Sequence, residues 1–145
     1  MLTIRIDARE PIKKILKLKG GLNNLSPVFS AIEKEMMGNV NNNFGTEGAF
    51  LEKKWANLKP STIAQRLRSG FSAGPILQRT GKLKNSTYRK EKTNTRVVVG
   101  NRASYYPYHQ LGTSKMPQRQ IMRWTNTTKE KILKMFKIYV DKLLK

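Results

Sequence analysis

At the start of the chain, apolar and polar positions alternate. Leu2, Ile4 and Ile6 are separated by Thr3 and Arg5, the period of a half-buried strand. The period then lengthens. After Asp7, placed to cap a helix, Ile12, Ile15, Leu16 and Leu18 recur at helical spacing until Gly20-Gly21 stops them. Ser26-Pro27 starts a second helix, with Ser as the cap and Pro in the first turn, and Phe29, Ile32, Met36, Met37 and Val40 form its apolar stripe. Asn41 to Gly48, rich in Asn and Gly, reads as a loop.

Beyond Trp55 and Leu58, Pro60-Ser61-Thr62 opens a short helix carrying Ile63, Ala64 and Leu67. Arg68 to Pro75 is a string of turn residues, and Thr80-Gly81-Lys82-Leu83 makes a turn or one helical turn. Ser86 to Thr93 and Thr95 to Val99 pair as a hairpin, and the unbroken Val97-Val98-Val99 implies burial on both faces. Tyr105 to Leu111 fits a short helix or an aromatic loop, Pro107 leaving both open. Thr127 and Glu130 match a capping box, after which Ile132, Leu133, Phe136, Val140, Leu143 and Leu144 line one face of a terminal helix. Strands and helices without regular alternation predict an α+β fold: a small antiparallel sheet packed against the long helix and the C-terminal helix. A single domain over 1–145 is expected, with mobile loops at 41–54 and 68–75.

Charge adds a second layer. The chain has 29 Lys+Arg against 9 Asp+Glu, net +20, and residues 52–102 alone carry +11. Such a field favours a polyanionic neighbour, nucleic acid or an acidic protein face, and opposes packing of identical subunits unless something offsets it. Candidates for polyanion contact are Lys53, Lys54, Arg66, Arg68, Arg79, Lys82, Lys84, Arg89, Lys90 and Lys92, with Tyr88 and Tyr105 able to stack on bases. A solvated basic face is the equally weighted alternative.

Candidate chemistry is sparse. With no cysteine, disulfides and thiolate metal sites are excluded, and one histidine rules out a multi-histidine zinc site within the chain. His109 is the conventional acid-base candidate, but no acid lies between residues 103 and 128, so a packing or hydrogen-bonding role is the better reading. Glu33 and Glu35 point to different faces of a helix and read as solvated charges. No phosphate-cradling glycine motif occurs. The expectation is no catalytic residue, no cofactor, no metal and no small-molecule substrate. No apolar run is long enough to cross a bilayer, and the opening MLTIRIDARE is unlike a signal peptide, so a cytosolic site of action and no membrane partner are expected.

Four blocks in order carry a resemblance. They are Trp55-Ala56-Asn57-Leu58-Lys59-Pro60-Ser61-Thr62 followed by Arg66; Ile76-Leu77-Gln78-Arg79-Thr80-Gly81-Lys82-Leu83; Val97-Val98-Val99-Gly100 leading into Tyr105-Tyr106-Pro107-Tyr108-His109-Gln110-Leu111-Gly112; and Met116-Pro117-Gln118-Arg119-Gln120-Ile121-Met122. Together they resemble the phage virion morphogenesis family, the tail completion proteins. The departures are Tyr106-Pro107 in place of a small residue and Gln118 where the family often has Ala.

The resemblance implies a non-catalytic virion protein that completes the tail or joins head to tail at the neck, assembled in the host cytoplasm. It implies a homo-oligomer, ring-like at the tail-neck junction, meeting other tail and neck proteins, with DNA passing nearby. Its motif residues here are Trp55, Leu58, Pro60, Thr62, Leu77, Thr80, Gly81, Leu83, Tyr105, His109, Gln110, Gly112, Pro117 and Arg119. In that frame Gly81, Gly100 and Gly112 sit at element ends where positive φ or close backbone approach is expected, His109 and Gln110 hold a loop, and Arg119 pairs with a neighbour's acid or with DNA. A basic nucleic-acid-binding protein is the competing reading.

Overall fold

The computed structural model describes residues 3–10, 12–13 and 24–143. Its elements are β1 (Thr3–Asp7), α1 (Ser26–Gly45), a 3-10 turn (Ala49–Leu51), α2 (Pro60–Arg68), α3 (Lys82–Asn85), β2 (Thr87–Lys92), β3 (Arg96–Asn101), α4 (Tyr106–Leu111) and α5 (Asn126–Leu143). The sheet is antiparallel in the order β1-β3-β2, giving the expected α+β architecture.

β3 takes the central place because its valines can be buried on both faces. Val97 and Val99 belong to the main core, whereas Val98 lies across from Arg5 of β1 and Glu91 of β2 and is buried among those longer side chains. The hairpin forms as expected, with Lys90 as an extra residue in β2 that shifts the register between Arg89 and Glu91. Against the core face packs α1, and α5 packs on α1, with Phe29 and Phe136 meeting edge to face at 5.8 Å.

Several expectations are corrected. Asn41 to Gly45 is helix, not loop, because the buried stripe of α1 continues past Val40 through Asn43 and Phe44. Asn39 and Asn43 share that stripe, and each has a hydrogen-bond partner that makes burial tolerable. Ser26 does not cap α1: its own N–H donates to Asn24 Oδ1 at 2.9 Å. The α5 cap is Thr125, whose Oγ1 accepts the Thr128 N–H at 3.0 Å, two residues before the expected Thr127. Leu133 is 66% exposed, whereas Ile132 is buried and Met135, Phe136 and Tyr139 pack on the core.

Of the apolar residues on α2, only Ile63 is half-buried. Ala64 and Leu67 are exposed and the buried residue is Arg66. Glu33 and Glu35 are not merely solvated: Arg89 reaches Glu33 at 3.3 Å and Lys131 reaches Glu35 at 2.8 Å, linking β2 and α5 to α1. Asp7 accepts the Arg9 N–H at 3.1 Å at the start of the next helical turn, and Ile12 is buried in the core. The expectations for Leu2, Ile15, Leu16, Leu18, Gly20-Gly21 and Leu144 lie outside the described residues.

The turn that ends α1 depends on Gly48. Its φ is +97°, and a Cβ there would lie 2.3 Å from the Lys53 carbonyl oxygen and 2.5 Å from the Trp55 ring. Gly48→Ala is therefore expected to destabilise the domain by about 2 kcal/mol or more. Urea unfolding monitored by tryptophan fluorescence checks this, with an unchanged midpoint counting against the argument.

Candidate assembly site

Between α4 and α5 the chain from Arg119 to Thr125 has no helix or strand, yet Arg119, Ile121, Met122 and Thr125 are buried. Buried backbone groups without a ladder must be satisfied some other way. Three side chains do so. Gln110, on α4, accepts the N–H groups of Ile121 and Met122 at its Oε1 (2.9 and 3.1 Å) and donates from Nε2 to the Met122 carbonyl at 2.6 Å. Asn43, on α1, donates to the carbonyls of Gln120 and Ile121 at 3.0 and 3.3 Å and accepts the Leu51 N–H. Trp55 donates from its indole to the Gln120 carbonyl at 2.9 Å while its ring meets Phe44 edge to face.

The other motif residues extend this network. Arg119 donates from Nε to the Ala56 carbonyl at 2.9 Å and from Nη2 to that of Asn57 at 3.0 Å, fixing the approach to α2. Its backbone N–H donates to the His109 carbonyl at 2.8 Å. Arg66 donates to the Pro75 carbonyl at 2.9 Å, so the segment leaving α2 is folded back onto it. Gly112, at φ +76°, lets the chain pass close to Gln118, which donates in turn to the Gln110 carbonyl. Leu83 is core and Asn101, fully buried in β3, donates to its carbonyl at 2.7 Å.

Leu58 and Leu77 pack partly buried on the core, Leu77 with φ +59°. Pro60 opens α2 and is exposed, Thr62 is half-buried, and Thr80 and Pro117 are exposed. Gly81 begins α3 at φ +72°, whereas Gly100 lies inside β3 without a positive φ.

His109 is half-buried on α4 with its ring edge-on to Tyr105 at 5.9 Å. The expected loop-holding hydrogen bond comes from its backbone carbonyl, not its ring: Nδ1 is buried without a partner. Burial, and secondly the Arg119 charge, push its pKa below the ordinary imidazole value. Burial likewise raises the Tyr106 phenol, whose hydroxyl donates to Gln110 Oε1 at 3.3 Å.

The ten basic candidates do not share one fate. Arg66 is buried. Lys53 donates to Gln118, Arg89 to Glu33 and Lys92 to Ser30. Lys84 is half-buried. Lys54, Arg68, Arg79, Lys82 and Lys90 are exposed, Arg79 with its guanidinium 5.3 Å from the centre of the Phe71 ring. Tyr88 lies under the Arg102 guanidinium at 4.3 Å, half-buried and so poorly placed to stack on a base. Among the described residues no group of three His, Asp or Glu side chains could hold a metal ion. The cleft beneath residues 122–124, lined by Met36, Leu51, Val99 and Met122, holds about 20 Å³, room for about one water.

The geometry therefore joins the four sequence blocks into one scaffold around an irregular buried segment. A profile of the phage virion morphogenesis family matches residues 7–141, nearly the whole chain. The chain belongs to the phage virion morphogenesis family. No curated protein and no solved structure matches it. Membership gives a role in building the phage particle, and among the described residues no helix is long and apolar enough to cross a membrane. Asn43, Asn101 and Glu47, whose Oε1 accepts the Ile76 N–H at 2.8 Å, are scaffold members that the sequence reading missed. The signal for Asn43 was its place four residues from Asn39 and one from Phe44 on the stripe of α1.

Replacing the clamp without its polar atoms should be severe. Gln110→Leu strands two buried N–H groups and is expected to cost about 2–4 kcal/mol. Chemical denaturation reads it, and a loss below about 1 kcal/mol, the net worth of a single hydrogen bond, would show that the clamp is dispensable. For His109 the sign follows from its lowered folded pKa: the unfolded chain binds the proton more tightly, so stability is complete above the ordinary imidazole value and falls as pH drops through and below it. Thermal unfolding between pH 7.5 and 5.5 (roughly the histidine range) should show a downward drift in wild type that is reduced in His109→Gln.

Proposed function

We propose that this protein is a non-catalytic structural component that completes the phage tail or joins it to the head at the neck, acting as a homo-oligomer alongside other tail and neck proteins. The observation that carries this reading is where the motif residues go. Trp55, Gln110 and Arg119 are consumed in holding backbone together, and among the described residues no acid, base and nucleophile converge around His109. Residues that build a rigid frame suit a protein of assembly, with the surface loops making the contacts. Segments 46–54, 68–75 and 113–118 are the loops best placed for this. Leu67, Tyr108 and Leu111 on α2 and α4 are large apolar side chains left exposed, as interfaces require. Assembly takes place in the host cytoplasm and the product travels in the virion.

Deleting the coding region from the phage genome and imaging the particles tests the reading. Unjoined heads and tails, or tails with an unfinished end, are expected; normal infectious particles would refute it. Direct nucleic-acid binding is favoured by one observation, the exposed Lys54, Arg68, Arg79, Lys82 and Lys90. A salt titration of affinity for duplex DNA separates the two: a steep slope with tight binding near physiological salt would favour the nucleic-acid reading.

A further inference from the structure

A strand at the edge of a sheet leaves alternate N–H and C=O groups without a ladder partner, and such an edge pairs with another chain unless it is blunted. The sheet has two edges, β1 and β2. β2 is blunted: Lys90 bulges out of register, and Arg89, Glu91 and Lys92 are tied to Glu33, Arg96 and Ser30. β1 is not. It pairs with β3 residue for residue from Thr3 to Asp7, without a bulge. Among the described residues no strand or turn hydrogen-bonds to its outer edge.

Beside β1 lies an open groove of about 430 Å³ between the strand and α5. Its apolar lining is Ile6, Trp124, Ile132 and Leu133, the last 66% exposed, and its charged lining is Arg5, Asp7 and Lys129. Successive side chains of a strand point to opposite faces, so a groove touching Arg5, Ile6 and Asp7 in turn is not confined to one face. Because β3 takes one edge of β1, the groove runs along the other. Charge then selects what fits. Arg5 and Lys129 have no ion pair among the described residues, whereas Asp7 is held by Arg9 and lies across from Arg96. Of the other nearby acids, Glu10 and Glu91 are paired with Lys13 and Arg96, and Glu130 does not line the groove.

We propose that the outer edge of β1 and this groove receive an extended acidic segment of a partner protein, which joins the three-stranded sheet as a further strand. Its backbone pairs with the outward groups of β1, its apolar side chains cover Trp124 and Leu133, and its carboxylates meet Arg5 and Lys129. A second copy of this chain is a poor occupant. β1 set antiparallel and centred on another β1 puts Arg5 opposite Arg5, and β2 would bring Arg89, Lys90 and Lys92 to the same cations. Duplex DNA has neither a peptide backbone to extend the sheet nor an apolar group for the groove. That the partner is a virion protein rests on the proposed function; the edge site itself does not.

The test is a titration of the isotopically labelled full chain with a short blocked peptide of alternating glutamate and valine, followed by nuclear magnetic resonance. Controls are the same peptide with lysine for glutamate, hexaglutamate, a short DNA duplex, and dilution of the protein alone. The acidic alternating peptide is expected to shift the amides of Thr3–Asp7 and the Trp124 indole saturably and to slow hydrogen exchange along β1. The Trp55 indole, buried and donating to the Gln120 carbonyl, stays in place. Leu133→Ala, at an exposed position, should weaken the peptide by roughly five- to tenfold, the share of one partly covered leucine, with the melting temperature little changed. Lys129→Glu, also exposed and near the start of α5 where an acid is tolerated, should weaken it as well. The proposal is overturned if the peptide leaves β1 unmoved, or if the lysine peptide or hexaglutamate binds as tightly. It is equally overturned if the duplex moves these resonances at lower concentration, if dilution alone moves them (a second copy then fills the edge), or if both variants bind as wild type does. Because the titration is independent of particle morphology, its failure alongside defective particles in the deletion would remove the edge site and leave the tail-assembly reading standing.

Discussion

The constraint on which the rest of the molecule depends is the satisfaction of one buried, irregular stretch of backbone. Residues 119–125 enter the core without forming a helix or joining the sheet, so the N–H and C=O groups they bury, those of residues 120–122 above all, need partners in side chains. Gln110 mimics a neighbouring strand by accepting two N–H groups and donating to one carbonyl. Asn43 and Trp55 approach from other directions and cap the carbonyls of Gln120 and Ile121. Because those three side chains sit on α1, on α4 and in the approach to α2, the single segment sets where all three lie. It also delivers Thr125 as the cap of α5, which fixes where the terminal helix starts.

Electrostatics follows from the same arrangement. Arg119 belongs to the buried segment and clamps Ala56 and Asn57, so its charge is drawn inward with it. Arg66 is drawn inward by the carbonyl of Pro75. Carbonyls satisfy the geometry of a guanidinium, and burial first, then the Arg119 charge, hold the His109 imidazole below its ordinary pKa. The surface pairs elsewhere, such as Lys131 with Glu35, link elements but contribute little to stability.

A frame of this kind suits a particle component. Polar side chains that lock backbone in place present loops and exposed apolar groups in fixed positions. The residues by which the chain resembles the phage virion morphogenesis family thus largely serve to hold the chain together.

By itself the sequence determined the α+β class, the hairpin, the central burial of Val97-Val98-Val99, the existence of the two long helices and the family. Those follow from periodicity, turn residues and short motifs, which are local. It misplaced the end of α1 because Asn is a loop signal until something buries and satisfies it, and the partners of Asn43 lie near residues 51 and 120. It gave no sign that Arg66 is the buried residue of α2, because an arginine looks like a solvent residue until Pro75 folds back onto it. It put the α5 cap at Thr127 because two threonines compete locally and only the buried path of residues 119–125 selects Thr125. Tertiary structure alone decided which polar groups go inside, since their burial depends on acceptors brought together from distant parts of the chain.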